Sequence, residues 1–241
     1  MGDSIVSSPY FVLTKPLSTP VYKNADNQLV YLNRRNVYLL PENNLTYYAQ
    51  HGLFESQLIE WCKQYCRKDR VFLDIGAHTG TYSISLAEWC KSVHSFEPQR
   101  MTYYALCGSV ALSYIPNIHC WNVGLGSDAQ VGKQTLSIVS HDGGGSTIQP
   151  TNERILQTET IEVRTLDSFE LDNIGFIKMD VEENELYVLQ GARKTLERCG
   201  RPTILFESNR VNRELFSYIE EIGYSIIQVS GCVNMYLAVG K

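Results

Sequence analysis

From Arg70 onward, apolar runs of strand length alternate with segments of helical period. RVFLDI, SVHSF, NIHCWNV, GFIKM and TILFE are short and rich in β-branched or aromatic residues, as strands buried on both faces are. GTYSISLAEWC, QRMTYYALCGSVAL, ELYVLQGARKTLERC and VNRELFSYIEEIG carry apolar residues at helical spacing. In the third of these, Leu186, Leu189 and Leu196 form the buried stripe, and Gly200 and Pro202 stop the helix. Such alternation restricts the chain to an α/β domain, a mostly parallel sheet with helices on both faces. YSIIQV and NMYLAV follow, joined by a tight turn around Gly231, and so short a turn forces an antiparallel pair at one end. The expectation is a seven-stranded, mostly parallel sheet with a C-terminal antiparallel strand.

Two stretches depart from the pattern. Residues 1–50 are polar and turn-rich, and QLVYL and NVYLL flank Asn33-Arg34-Arg35 like the arms of a hairpin. A strand-containing extension over 1–50 and a main domain over 51–241 follow from this. GLFESQLIEWCKQYC opens the main domain as an amphipathic helix, with Phe54, Leu58, Trp61, Cys62 and Tyr65 at helical spacing. Residues 127–167 interrupt the alternation. They hold HDGGGST, a flexible connection or a ligand-covering loop, and then ETIEVRTLDSF, whose period of two reads as an edge strand.

The formal net charge is −5 and no Lys/Arg block is long, so no nucleic-acid partner is expected. The 7 cysteines have no repeated spacing, and Cys62 and Cys66 read as packed thiols ahead of a metal or disulfide pair. Neither a signal peptide nor an apolar run of membrane-spanning length is present, so a reduced, cytoplasmic-type compartment is expected.

In such a sheet, ligands bind outside the carboxyl ends of the strands. The strand ends here are Asp74, Glu97, Asn122-Val123, Asp180 with Glu182 close behind, and Glu207-Ser208-Asn209. Asp74-Ile75-Gly76-Ala77-His78-Thr79-Gly80 has glycines for a sharp turn but lacks the G-x-G-x-x-G of a dinucleotide site. An acid opening the loop suits a cationic amino group, and Glu97 can accept both hydroxyls of a ribose. Amino acid and ribose on one ligand describe S-adenosylmethionine. The plainer readings are a helix cap for Asp74, a turn residue for Glu97 and a solvated loop histidine for His78. In FIKMDVEENE, Lys178 stands inside a buried strand and needs a partner. Asp180, two residues on, points to the same side, so the two can neutralise each other, or Lys178 can reach an acid on a neighbouring strand. Glu183 and Glu185 suit the start of the following helix.

VFLDIGAHTGTYSISLA, VHSFEP, NVGLGS, GGGST, VRTLDSF, FIKMDVEENELYVLQGA, PTILFE and IGY together resemble the FkbM family of S-adenosylmethionine-dependent methyltransferases. They run in family order from about Arg70 to about Tyr224. The resemblance implies a Rossmann-like class I methyltransferase fold and O-methylation of a small-molecule or glycan acceptor, typically a sugar or polyketide-like product. Carried onto this chain, Asp74, Gly76, His78, Gly80, Glu97, Asn122, Val123, Ser146 and Asp180 surround the cofactor. Asp180, Glu182, Glu207 and His78 are the candidates for removing the acceptor's proton, and Asp180 with Glu207 could hold Mg²⁺ or Mn²⁺. Two departures stand out. Glu183 and Asn184 occupy a usual Gly-Ala pair, and His78 stands where the family often has Asn. An RNA ribose methyltransferase, a nicotinamide-dependent oxidoreductase and a non-catalytic module remain as rival readings.

Overall fold

A computed structural model describes residues 10–16, 21–23, 29–31, 35–208 and 212–241. Four strands come first: β1 (Tyr10–Pro16), β2 (Val21–Lys23), β3 (Leu29–Tyr31) and β4 (Arg35–Pro41), followed by helices α1 (Leu45–His51) and α2 (Ser56–Cys62). The alternating core begins with β5 (Val71–Ile75), α3 (Thr81–Leu86), β6 (Ser92–Phe96), α4 (Arg100–Ser113) and β7 (Ile118–Trp121). β8 (Gly124–Leu125) follows, and the interruption supplies β9 (Gly132–Ile138) and β10 (Gln157–Arg164). Then come β11 (Ile174–Met179), α5 (Glu185–Gln190), α6 (Arg193–Arg198), β12 (Thr203–Glu207), α7 (Arg213–Glu221), β13 (Tyr224–Gln228) and β14 (Met235–Gly240).

The seven expected strands form one sheet in the order β13-β14-β12-β11-β5-β6-β7. All run parallel except β14, which is antiparallel to both β12 and β13. Each β5 residue is buried because alternate side chains feed two separate cores. Val71, Leu73 and Ile75 meet Leu186, Leu189, Leu196, Leu215 and Ile219 of the helices on one face. Phe72 meets Leu58, Ile59, Tyr82, Ile84 and Leu86 on the other. Asp74 shares the face of Phe72, and the parallel register sets it beside Lys178.

The structure corrects the expected hairpin. β3 pairs with β2, and β4 pairs with β1. Burial of Tyr38 and Leu40 in the same core as Phe72 sets the position of β4. Its backbone is tied to α4, where Ser113 Oγ and Ser109 Oγ accept the N–H groups of Val37 and Leu39 at 2.8 and 2.9 Å. ETIEVRTLDSF is also not an edge strand. β10 is the middle strand of a small β8-β10-β9 sheet, where Ile161 and Val163 pack with Leu136 and Ile138 in a core of their own. The long helix expected over 185–199 is two helices. A Cβ on Gly191 would lie 2.0 Å from the carbonyl oxygen of Gly126, so the chain breaks step where the two segments touch. Among the described residues no helix is long and apolar enough to cross a membrane. Asn209, expected at the end of β12, lies outside the described residues.

Candidate active site

β5 leaves the sheet through the Gly76–Gly80 turn. Gly76 (φ +75°) is tight against the end of β11, where a Cβ would stand 1.8 Å from the carbonyl oxygen of Asp180. The N–H groups of Gly76 and Ala77 both donate to Phe96 O at 3.0 Å, which binds the turn to the end of β6. Gly80 (φ +89°) opens α3 close to Leu106. Asp74 is fully buried beneath this turn. Its Oδ2 accepts the N–H and the hydroxyl of Ser83 at 2.9 and 2.5 Å. It therefore caps α3, and it is not among the residues lining the cavity.

Glu97 does face that cavity. Its two oxygens accept the N–H groups of His78 and Gln99, each at 2.9 Å. Burial pushes its pKa up to about 7 against the pull of those two donors. Asn122 lies behind it and donates to the carbonyl oxygens of Glu97 and Pro98 at 2.9 and 3.0 Å. Val123 is in the core. These two shape the site from outside the cavity wall.

The glycine-rich loop closes over the opening. The carbonyl oxygen of Asp142 accepts from His78 Nε2 at 2.7 Å, so that nitrogen carries the ring proton. Burial lowers the pKa of His78 and keeps the ring neutral. The Asp142 carboxylate accepts from Asn43 and Asn44 at 3.1 and 3.0 Å. On the far side, the N–H of Gly145 donates to Glu182 Oε1 at 3.0 Å, and the Thr147 hydroxyl donates to Glu182 O at 2.6 Å. Ser146 Oγ donates to Gly143 O at 2.8 Å and lies 3.2 Å from Gln99 Oε1.

Lys178 finds its partner in the first of the expected ways, in Asp180, while the neighbouring strand's turn offers it a carbonyl oxygen and not an acid. The lysine is 5% exposed and donates to Asp180 Oδ2 at 3.2 Å and to Gly76 O at 3.1 Å. Its ammonium also stands 5.3 Å over the Tyr82 ring. Burial alone would lower its pKa, but the charges of Asp180, Asp74 and Glu55 hold it above the usual lysine value. Burial likewise opposes ionisation of Asp180, and Lys178 overcomes it, keeping that pKa low. Glu207, at the end of the adjacent strand, is hydrogen-bonded to Asp180. Burial and the Asp180 charge push the pKa of Glu207 up to about 8. At neutral pH the pair is one carboxylate and one carboxylic acid.

The main cavity holds about 260 Å³. Gly76, His78, Glu97, Ser146, Asp180 and Glu182 all line it, and so do Asn44, Tyr48, Phe54 and Glu55. Glu207 instead lines a small recess behind Asp180, shared with Glu182, Glu183, Glu185 and Ser208. Glu55 and its partner Tyr82, whose hydroxyl donates to Glu55 Oε2 at 2.9 Å, are site residues that motif reading did not find. Among the described residues no group of three or more His, Cys, Asp or Glu is placed to hold a metal ion. Asp180 and Glu207, the pair expected to hold Mg²⁺ or Mn²⁺, are hydrogen-bonded to each other.

Residues 74–226, more than half of the chain, match the methyltransferase FkbM domain. The chain belongs to the FkbM methyltransferase family. This methyltransferase is similar in fold to precorrin-6y C5,15-methyltransferase from Geobacter metallireducens GS-15, at a TM-score of 0.50 and 10% identity over 78% of this chain and 90% of that one. An rRNA methylase from Streptococcus thermophilus (TM-score 0.46, 13% identity, 76% of this chain and 92% of that one) is also similar. So is a SAM dependent methyltransferase from Aquifex aeolicus (TM-score 0.42, 11% identity, 77% and 88%). No curated protein matches the chain at a significant level.

The departure at Glu183 and Asn184 now has a local explanation. Glu182 and Glu183 both adopt the left-handed conformation, at φ +51° and +71°. Glycine at the second of these positions would relieve the strain that Glu183 carries. Asn184 is buried and makes three bonds that alanine cannot. It accepts from Gln130 and Gln149 at 2.9 and 2.6 Å, and donates to Leu125 O at 3.0 Å.

Proposed function

We propose that this FkbM methyltransferase transfers a methyl group from S-adenosylmethionine to a hydroxyl oxygen, with a sugar or glycan as the acceptor. The observation that carries the reading is one cavity lined by both Glu97 and Asp180, the latter kept ionised by Lys178. Each Glu97 oxygen spends one lone pair on a backbone N–H and keeps another for a ribose hydroxyl. The Gly76–His78 backbone and Ser146 flank that position, while Asp74 supports the turn through Ser83. When bound, S-adenosylmethionine supplies a sulfonium methyl group that an aligned oxygen displaces in line. Asp180 is the group that accepts the acceptor's hydroxyl proton. Glu207 tunes that basicity from behind, since its hydroxyl weakens Asp180 and its ionisation strengthens it. Glu182 and His78 hold the loop that screens the cavity from water.

The deciding experiment pairs calorimetry of S-adenosylhomocysteine with a methyl-incorporation screen over oligosaccharides. Binding of S-adenosylhomocysteine together with base-stable ether formation on a glycan is the expected result. Binding of NAD in its place would establish the oxidoreductase reading, and strongly salt-dependent RNA affinity would favour ribose methylation of RNA.

A further inference from the structure

The matched domain begins at Asp74, yet part of the cavity's lining comes from residues ahead of it. Asn44, Tyr48, Phe54 and Glu55, on and around α1, line the cavity together with Glu97 and Asp180. The rings of Phe54 and Tyr47 stack at 4.0 Å with 16° between their planes, and Tyr48 packs edge-on to Phe54 at 4.9 Å. Phe54 and Tyr47 are nevertheless 38% and 39% exposed. Phe54, a partly open ring that lines the cavity and is backed by Tyr47, offers a flat apolar surface to a ligand. The next residue, Glu55, is held in the left-handed conformation at φ +53°, a strained backbone for a side chain of its size. The Tyr82 hydroxyl fixes one of its oxygens at 2.9 Å, and Tyr82 in turn stands beneath Lys178, the partner of Asp180. A carboxylate is thus set beside an aromatic face, one side chain away from the Lys178–Asp180 pair.

We infer that Phe54, stacked on Tyr47, and Glu55 form the acceptor-recognition wall, taking a ring with an apolar face against the aromatic pair and a hydroxyl on its edge against the carboxylate. The inference rests on the methyltransferase reading. It places selectivity in the segment ahead of the matched domain and the methyl-donor site within it. A hydroxylated ring of this kind comes either from a carbohydrate or from a phenol, and the experiment separates the two.

The full chain, saturated with S-adenosylhomocysteine, is titrated with methyl glycosides of glucose, galactose, mannose, fucose and rhamnose, and separately with catechol and p-cresol. Saturation-transfer NMR reads which protons touch the protein. At least one probe should receive transfer at its ring C–H protons. Phe54→Ala should then weaken that probe about fivefold or more, as loss of an aromatic contact does. Glu55→Gln keeps a hydrogen-bond acceptor for Tyr82 but loses the charge, and should weaken it about tenfold. S-adenosylhomocysteine affinity should stay within about twofold in both variants, with unchanged circular dichroism. Glycoside binding alone identifies a carbohydrate source, and phenol binding alone a phenolic one. Binding of neither, or a bound probe indifferent to both substitutions, overturns the inference. Should S-adenosylhomocysteine fail to bind, the donor reading falls by itself, and the same titrations without it still decide the role of the wall.

Discussion

Asp180 meets the cavity on one side and Glu207 on the other, and its protonation depends on both neighbours. Asp180→Asn preserves shape and removes the charge, so turnover should fall about a hundredfold or more, as for loss of a general base. S-adenosylhomocysteine affinity should change little, and near-normal turnover would remove Asp180 from the proposed mechanism. The Glu207 pKa of about 8 adds a pH signature. Above it, a second negative charge makes Asp180 a stronger base, so kcat/KM should rise through pH 8, and Glu207→Gln should flatten that rise. Glu97 gives a third test. A ribose hydroxyl donating to its carboxylate favours the ionised form and lowers a pKa that stands at about 7 in the free protein. Binding at pH 6.5 should therefore release protons, seen as a calorimetric heat that varies with the buffer's ionisation enthalpy. Glu97→Ala should abolish the release and weaken binding by roughly 1.5–3 kcal/mol. The rim positions of all three carboxyls were legible in the sequence, because a terminal acid on a buried strand falls on the rim by register. Glu55 was not, because its meeting with Tyr82 joins residues 27 apart across α2 and the first core strand, with no motif to announce it.

The 140–148 loop shows what can and cannot be read at the level of an element. Its glycines marked it as a possible cover, and Gly143 and Gly145 do take positive φ. Its attachments were not legible, since they depend on where Asn43, His78 and Glu182 arrive from other parts of the chain. The same limit applies to β4 and β10. Their alternating patterns announced strands, but ladder partners follow from which core buries the inward residues, and that is a tertiary choice. The loop's bonds to Glu182 and Asn43 are exposed or half-buried, so it should open locally at low cost in the free protein. Hydrogen exchange at residues 142–148 should slow on adding S-adenosylhomocysteine, and equal protection in both states would show that the loop is no lid. The turn beneath it carries avoidable strain. Glu183→Gly should raise stability by about 0.5–1 kcal/mol in chemical denaturation, the relief of a left-handed backbone less the entropy glycine adds to the unfolded chain.

Across the whole molecule, the parallel sheet gathers strand-end acids at one rim, and burying them there couples stability to pH. Glu97 is raised to about 7, and Glu185 and Glu207 to about 8, with burial the largest cause in each. An acid raised on folding binds its proton more tightly in the native state. Its contribution is therefore complete below the unfolded pKa and lost as pH climbs through the folded one. The histidines work the other way. Burial lowers His78, and His94 falls to about 4, so each costs stability only below the ordinary histidine value near 6.5. As pH rises from 6.5 to 8 the unfolded chain sheds the remaining protons of His78 and His94, a small gain confined to the lower end of the window, while the raised Cys62 thiol adds to the fall that the carboxyls set. Asp180 is ionised in both states throughout this window and adds nothing. Unfolding free energy should accordingly fall from pH 6.5 to 8, with Glu185 and Glu207 each contributing on the order of 2 kcal/mol at full effect. Glu185 is the cleaner probe, since it is 4% exposed, accepts the N–H of Val181 at 3.1 Å and lines no part of the main cavity. Glu185→Gln keeps an acceptor for that N–H and cannot ionise, so its denaturation midpoint should vary less across the window than that of the natural chain. Equal slopes in the two proteins, measured at matched ionic strength, would mean that Glu185 ionises at an ordinary value and that its burial leaves room for water.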